Sequence, residues 1–215
     1  MIESEGVTIV VDTGPDFRQQ MLREKVENVD AILLTHEHKD HIAGLDDVRA
    51  FNYLNKTEMS VFGMERVLER IRIEYAYAFA EYKYPGVPLI ELKAIADAPF
   101  TIKDQTIIPI PVMHARLPIL GFRFADFTYI TDTNYISKES MDLIKGSKVL
   151  VLNALQKEQH VSHYTLEQAV EVAQQSGVPF VYFTHMSHRI GCHTEVSKGL
   201  PNGIQLAWDG LHLEL

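Results

Sequence analysis

The stretch Leu33-Leu34-Thr35-His36-Glu37-His38-Lys39-Asp40-His41-Ile42-Ala43-Gly44 places three histidines and an aspartate within six residues, directly after the apolar run Ala31 to Leu34. That run predicts a short buried strand, and the pattern after His41 predicts a helix. The four polar residues then lie on a strand-to-helix loop, where a rigid scaffold aims side chains into a cleft. Imidazole and carboxylate are borderline-to-hard ligands, suited to zinc, manganese or iron. In an extended segment His36 and His38 point to the same side, so two imidazoles can share one ion. Asp40 and His41 fall where the chain turns into the helix, in reach of a second ion. Two adjacent ions make a hydrolytic site. A histidine-rich surface turn is the alternative, and the strand before and helix after the motif argue against it.

Around this centre, 215 residues suffice for one domain with a large core and are too few for two comfortable ones. No apolar run approaches the roughly 18 residues of a membrane span. The start Met1-Ile2-Glu3-Ser4-Glu5 is unlike a signal peptide, and Cys192 is the lone cysteine. Together these predict a cytoplasmic protein without an intrachain disulfide or a membrane partner. A net charge of −9 with scattered Lys and Arg disfavours a long nucleic acid and leaves a small phosphate ester acceptable.

Along the chain, Val7 to Asp12 predicts a strand, Asp16 to Lys25 an amphipathic helix, and Ala31 to Thr35 the strand carrying the metal loop. Helices are expected over Gly44 to Leu54 and Met64 to Phe79, with a strand Met59 to Phe62 between them. Tyr75, Tyr77, Phe79, Tyr82 and Tyr84 read as core packing with a covering flap, or else as a cleft wall or subunit contact. Strands follow over Leu89 to Ala94, Phe100 to Ile102, Gln105 to Val112, Gly121 to Ala125 and Phe127 to Thr131. The remainder alternates: helix Ser137 to Ile144, strand Val149 to Leu152, helix Leu166 to Ser176, strand Phe180 to Phe183, then strands Ile204 to Leu206 and Leu211 to Leu213. Strands and helices in this order fit an α/β protein with two sheets packed face to face and helices outside, a four-layer αββα sandwich in one domain, 1–215.

His114, Asp132 and His185 each follow a buried apolar strand closely, so all three can converge with the first motif at one sheet edge. His163, ahead of Thr165-Leu166, suits proton donation near neutral pH, or else caps the helix beginning at Thr165. His188 can hold phosphate or orient a ligand, and Arg49 can hold phosphate or be one of a set of solvated helix charges with Asp46 and Asp47. His160 and His193 read as surface residues. Asp12 and Thr35 are expected to hydrogen-bond ligand imidazoles.

The motif His36-x-His38-x-Asp40-His41 after an apolar strand resembles the signature of the metallo-β-lactamase-fold hydrolases. Val11-Asp12-Thr13-Gly14-Pro15-Asp16, Gly44-Leu45-Asp46-Asp47-Val48-Arg49 and Thr184-His185-Met186-Ser187-His188 are similar to one branch. That branch contains the phosphoribosyl 1,2-cyclic phosphate phosphodiesterases, near the tRNA 3′-processing endonucleases. The resemblance implies two divalent metal ions, zinc or manganese. It implies His36, His38 and His114 on one, Asp40, His41 and His185 on the other, and Asp132 bridging them. It further implies hydrolysis of a small, cyclic phosphate ester by hydroxide held between the ions, with His163 as acid and Asp40 also among the catalytic residues. Within the same fold, tRNA 3′ processing, lactone or thioester hydrolysis, and metal binding without catalysis are the alternatives.

Proteins of this branch usually begin with a strand and a Gly-rich loop well before the Asp-x-Gly element, which here is already reached at Asp12. The sequence therefore predicts a chain shorter than the natural protein at its N terminus, with the Val7 to Asp12 strand left as a bare sheet edge. Dimerisation through that edge, or poor order of the N-terminal region, is the expected consequence.

Overall fold

A computed structural model describes residues 1–215. In chain order it holds β1 (Ile2–Ser4), β2 (Val7–Val11), α1 (Phe17–Arg23), β3 (Ala31–Leu33), α2 (Lys39–Ile42), α3 (Arg49–Asn55), β4 (Met59–Gly63), α4 (Glu65–Glu74), α5 (Ala76–Phe79), β5 (Ile90–Ala94) and β6 (Phe100–Ile102). It continues with β7 (Gln105–His114), β8 (Leu117–Phe124), β9 (Phe127–Ile130), α6 (Lys138–Ile144), β10 (Val149–Asn153), α7 (Leu166–Ser176), β11 (Phe180–Thr184), α8 (His193–Lys198) and β12 (Ile204–Leu206). Two sheets form, ordered β1-β2-β3-β4-β5 and β12-β11-β10-β9-β8-β7-β6. The chain divides into two compact units, Met1–Gln105 and Thr106–Leu215, each with its own apolar core.

In the first unit β2, β3, β4 and β5 run parallel, Val10 level with Ile32 and Ile32 level with Val61. Parallel strands need apolar residues on both faces. The sequence supplies them, for Ala31, Ile32, Leu33 and Leu34 have no exposed surface. Phe17, Ile42, Leu45, Val48 and Ile71 fill the space between this sheet and its helices. In the second unit β9, β10, β11 and β12 are parallel, and β7, β8 and β9 antiparallel. Thr165 and Gln168 cap α7 reciprocally, and Gly177 ends it with a left-handed φ of 68°.

The expected bare edge at Val7 to Asp12 is not found. Ile2–Ser4 pairs antiparallel with β2, Ser4 opposite Val7. The intervening Glu5 and Gly6 take φ values of 50° and 76°. Two positive φ angles in a two-residue loop match the right-handed twist of a hairpin, which makes this pairing favourable.

Other expectations need adjustment. Leu211 to Leu213 forms no strand, since β12 ends the sheet and the tail beyond it is irregular. The helix expected from Met64 to Phe79 breaks at Tyr75, where φ −115° and ψ 34° leave the helical region. Tyr75 is buried there, and its hydroxyl donates to the Ile42 carbonyl at 2.6 Å. That tertiary bond outweighs helix continuity. Gly44 to Leu54 begins as a 3₁₀ turn, Leu45–Val48, before α3. Strand β8 starts at Leu117, four residues earlier than expected, and runs through Pro118 opposite Met113.

Candidate metal centre

In the first unit, candidate ligands follow the C-terminal ends of β2 and β3. Asp12, one residue past β2, is turned into the left-handed region at φ 60°. Its Oδ1 accepts the Thr35 amide at 2.8 Å, and its Oδ2 accepts the Thr35 hydroxyl at 2.8 Å. The same Oδ2 lies 2.6 Å from His41 Nδ1, with both side chains less than a tenth exposed. Thr35 Oγ1 is in turn 2.9 Å from His36 Nδ1. One carboxylate thus fixes both histidines through a buried network, as expected for Asp12 and Thr35. With Nδ1 of His36 and His41 occupied, their Nε2 atoms are the ones left to ligate.

His36 Nε2 and His38 Nδ1 stand 3.0 Å apart. Two nitrogens on one tetrahedral ion at about 2.0–2.1 Å would be separated by about 3.3 Å, so the observed pair fits a shared cation with little movement. Asp40 and His41 lie inside α2, with His41 Nε2 3.5 Å from Asp40 Oδ2. The helix begins at Lys39, earlier than the sequence indicated, and so sets the directions of both residues.

Backbone crossing holds this loop in place. Thr13 donates to the His41 carbonyl at 2.7 Å, and Gly44 donates to the Thr13 carbonyl at 2.8 Å. A Cβ on Gly44 would meet the Gly14 carbonyl oxygen at 2.3 Å, and one on Gly14 would meet the Asp40 oxygen at 2.7 Å. Only glycine permits so close a passage.

In the second unit, candidate ligands stand at the ends of β7, β9 and β11. His114 closes β7, buried, with Nδ1 3.0 Å from the Ser162 carbonyl and also against the Asp132 carbonyl. Carbonyl oxygens only accept, so Nδ1 carries the proton and Nε2 is the ligating nitrogen. Asp132 is 1% exposed, with Oδ1 accepting the Thr131 hydroxyl at 2.8 Å and lying 3.1 Å from His185 Nε2. Its Oδ2 lies 3.5 Å from His163 Nε2. The two carboxylate oxygens therefore face different partners. Ligand atoms of His114, Asp132 and His163 all lie within 4.8 Å of one another.

Asp132 and His185 take φ values of 66° and 55°, the same left-handed turn as Asp12. Such conformations disfavour residues with a side chain and concentrate at functional sites. Fully buried Asn153 sustains the turn at Asp132, its Oδ1 accepting the Thr133 amide at 2.8 Å and its Nδ2 donating to the Thr133 carbonyl at 3.0 Å.

His163 does not cap α7, because Thr165 fills that role. Its ring is buried instead, with Nδ1 3.0 Å from Ser162 Oγ and 3.0 Å from His160 Nδ1. His160, read from the sequence as a surface residue, is partly exposed, and its ring meets that of His163. The spacing His160-x-x-His163 was the available signal. His193 is exposed and packs edge-on against Trp208. His188 is exposed at the start of a short 3₁₀ turn, three residues past His185. Arg49 is exposed, 3.5 Å from Asp46, and borders a groove of about 850 Å³ with Phe51, Tyr53 and Tyr84. None of His36, His38, Asp40 or His41 lines that groove. Tyr77 bonds Asp46, while Tyr82 and Tyr84 are largely exposed. The aromatic segment therefore divides into Tyr75 in the core, Phe79 packed against it, and the exposed Tyr77, Tyr82 and Tyr84.

The sequence profile described as the beta-lactamase superfamily domain matches residues 7–186. Among solved structures, a diphosphatase of the PhnP family superposes with a TM-score of 0.91 at 35% identity, covering 99% of this chain and 82% of that one. An octanoyltransferase of Porphyromonas gingivalis is 39% identical over 213 residues, 98% of this chain. The chain spans only 43% of that protein's length. A ribonuclease Z of Mycolicibacterium gilvum is 25% identical over 219 residues, covering 86% of this chain and 76% of that protein. The mixed α/β architecture with two sheets is the metallo-β-lactamase fold expected from the sequence. No helix is long and apolar enough to cross a membrane. The chain belongs to the beta-lactamase superfamily and is similar in structure to a diphosphatase of the PhnP family.

Proposed function

We propose that this protein hydrolyses a small phosphate ester, cyclic phosphodiesters foremost, with two divalent ions of zinc or manganese. In this reading His36, His38 and His114 hold one ion, Asp40, His41 and His185 hold the other, and Asp132 serves both. The donor set fits such ions: all nitrogen and oxygen, with the second ring nitrogens of His36, His41 and His114 already engaged. When bound, the ions supply hydroxide near neutral pH and offset negative charge gathering on phosphate oxygens.

The chain's own residues do the rest. Asp12 and Thr35 keep the ligating nitrogens of the first unit aimed outward from the sheet. Asp40 orients the attacking water. His163 gives the proton from Nε2 to the departing alkoxide, which leaves poorly unprotonated. His188 and Arg49 are the exposed residues we assign to gripping phosphate. The observation that carries the phosphate reading is the 35% identity to a diphosphatase of the PhnP family across nearly the whole chain. A net charge of −9 supports a small substrate over tRNA.

A second reading, hydrolysis of an acyl thioester, draws on the octanoyltransferase relative. That protein is more than twice as long as the matched region, so its name can belong to its remaining part. Metal-loaded protein assayed on five-membered cyclic phosphates, bis-(p-nitrophenyl) phosphate, a lactone and an octanoyl thioester separates these readings. Turnover of the phosphates is the expected result, and turnover of the thioester alone would overturn the first reading.

A further inference from the structure

His160 contacts the ring of His163 on the side away from Asp132. The two Nδ1 atoms stand 3.0 Å apart, and the rings are inclined at 58° with centroids 4.9 Å apart. The backbone amide of Ser162 points at the same His160 Nδ1, at 3.4 Å. A backbone N–H only donates, so His160 Nδ1 is an acceptor. The proton between the facing rings therefore sits on His163 Nδ1. Burial, and then the neighbouring His163, hold the His160 imidazole below the ordinary histidine range, consistent with a neutral acceptor. On the opposite edge of His163, Nε2 is buried without a hydrogen-bond partner, 3.5 Å from Asp132 Oδ2.

We propose that His160 is a positioning residue for proton donation: its Nδ1 accepts from His163 Nδ1, fixes the ring plane, and leaves Nε2 as the only nitrogen that exchanges a proton with substrate. This rests on the reading of His163 as the acid. In the step itself the P–O bond to the leaving group breaks and its electron pair stays on that oxygen. The proton passed to that oxygen leaves Nε2 of the imidazolium form of His163, taken up from solvent beforehand, and the ring returns to the neutral Nδ1–H form. His163 keeps its Nδ1 proton throughout, held toward His160. Ser162 Oγ, 3.0 Å from His163 Nδ1, is a weaker guide, because a hydroxyl rotates and can donate or accept. His160 Nδ1, faced by the Ser162 amide, is held as an acceptor.

The test uses the full-length metal-loaded protein and three variants, His160→Leu, His160→Asn and His163→Ala. Asparagine places its side-chain oxygen near the position of the histidine Nδ1 and can still accept; leucine cannot. Each is assayed on a methyl p-nitrophenyl diester and on an alkyl diester, with metal content measured alongside. His160→Leu should lose about 10²-fold in kcat on the alkyl diester, as a misplaced catalytic group does, while p-nitrophenolate release and metal content hold. His160→Asn should recover most of that loss. Nitrogen-15 spectra of histidine-labelled protein should show His163 as the Nδ1–H tautomer in the parent and in His160→Asn. Equal losses on both substrates in His160→Leu, or no recovery with asparagine, would overturn the positioning role. His163→Ala losing equally on both substrates would instead remove the acid assignment beneath it. If His160→Leu fails to fold, the asparagine variant and the parent tautomer decide: a proton found on His160 Nδ1 rather than His163 Nδ1 refutes the proposal.

Discussion

Replacing Asp12 with asparagine tests whether one carboxylate sets the ligating face of His41. The substitution keeps shape, and asparagine tolerates the left-handed φ of 60° as well as aspartate does. The amide must keep its oxygen toward the Thr35 backbone N–H, 2.8 Å away, because that donor is fixed. Its NH₂ group then replaces Oδ2. The Thr35 hydroxyl can rotate and accept, but His41 Nδ1–H, 2.6 Å from Oδ2, now faces a donor. The loss of a hydrogen bond to a charged acceptor costs about 1.5–3 kcal/mol of stability. Relief comes if the His41 proton moves to Nε2, which blocks the ligating nitrogen. Metal affinity should therefore fall about 10–100-fold, equivalent to about 1.4–2.7 kcal/mol. Denaturant unfolding with chelator present measures the first quantity, and chelator competition measures the second. A variant that loses stability yet binds metal with parental affinity would refute the link between Asp12 and the His41 tautomer.

Further expectations follow the same logic. Asp132→Asn should lower metal content per chain with the fold retained, by elemental analysis and circular dichroism, and a full complement of metal would argue against its shared role. Gly44→Ala should destabilise by about 3 kcal/mol or more in urea titrations, since its Cβ would lie 2.3 Å from a backbone oxygen; an unchanged midpoint would mean the loops separate easily. Asn153→Ala, which strands the Thr133 amide and carbonyl, should cost about 2–4 kcal/mol and lower metal affinity too, and a purely local loss of stability would show that the Asp132 turn stands without it. Burial raises Tyr75 and Tyr164 to about 12, so between pH 10 and 12 the folded state binds more protons than the unfolded chain and stability falls as pH rises. Tyr75→Phe should flatten that slope in alkaline unfolding curves, and an unaltered slope would contradict it.

The first metal motif was readable because its histidines crowd into six residues behind a buried strand, and Asp12 with Thr35 could be placed beside them by type. Helix α7 was legible to the residue, for its capping threonine and closing glycine bracket the apolar spacing. The contact of His160 with His163 was missed, although the spacing His160-x-x-His163 allowed it, because a loop's path decides whether such a pair meets. The β1–β2 hairpin went unseen since its signal is one glycine after a glutamate, with strands too short to show alternation. The break at Tyr75 depends on a hydroxyl meeting a carbonyl 33 residues away, which no window of sequence contains. Left-handed turns at Asp132 and His185 are likewise tertiary choices, imposed on residues that would otherwise avoid them.

The parallel register of β9, β10 and β11 has a kinetic consequence. Ile130 lies level with Leu152, and Asn153 with Thr184, so Asp132, Asn153 and His185 emerge together from separate strands. A slip of one residue would turn every side chain of the slipped strand to the opposite face and carry these three out of step. Parallel strands far apart in sequence pair slowly, and misaligned pairs are the natural traps on that route. A slipped chain would retain much of its helix and strand content while lacking the donor set. Cation uptake during refolding would then act as a proofreading signal, separating chains that found the native alignment from compact ones that did not.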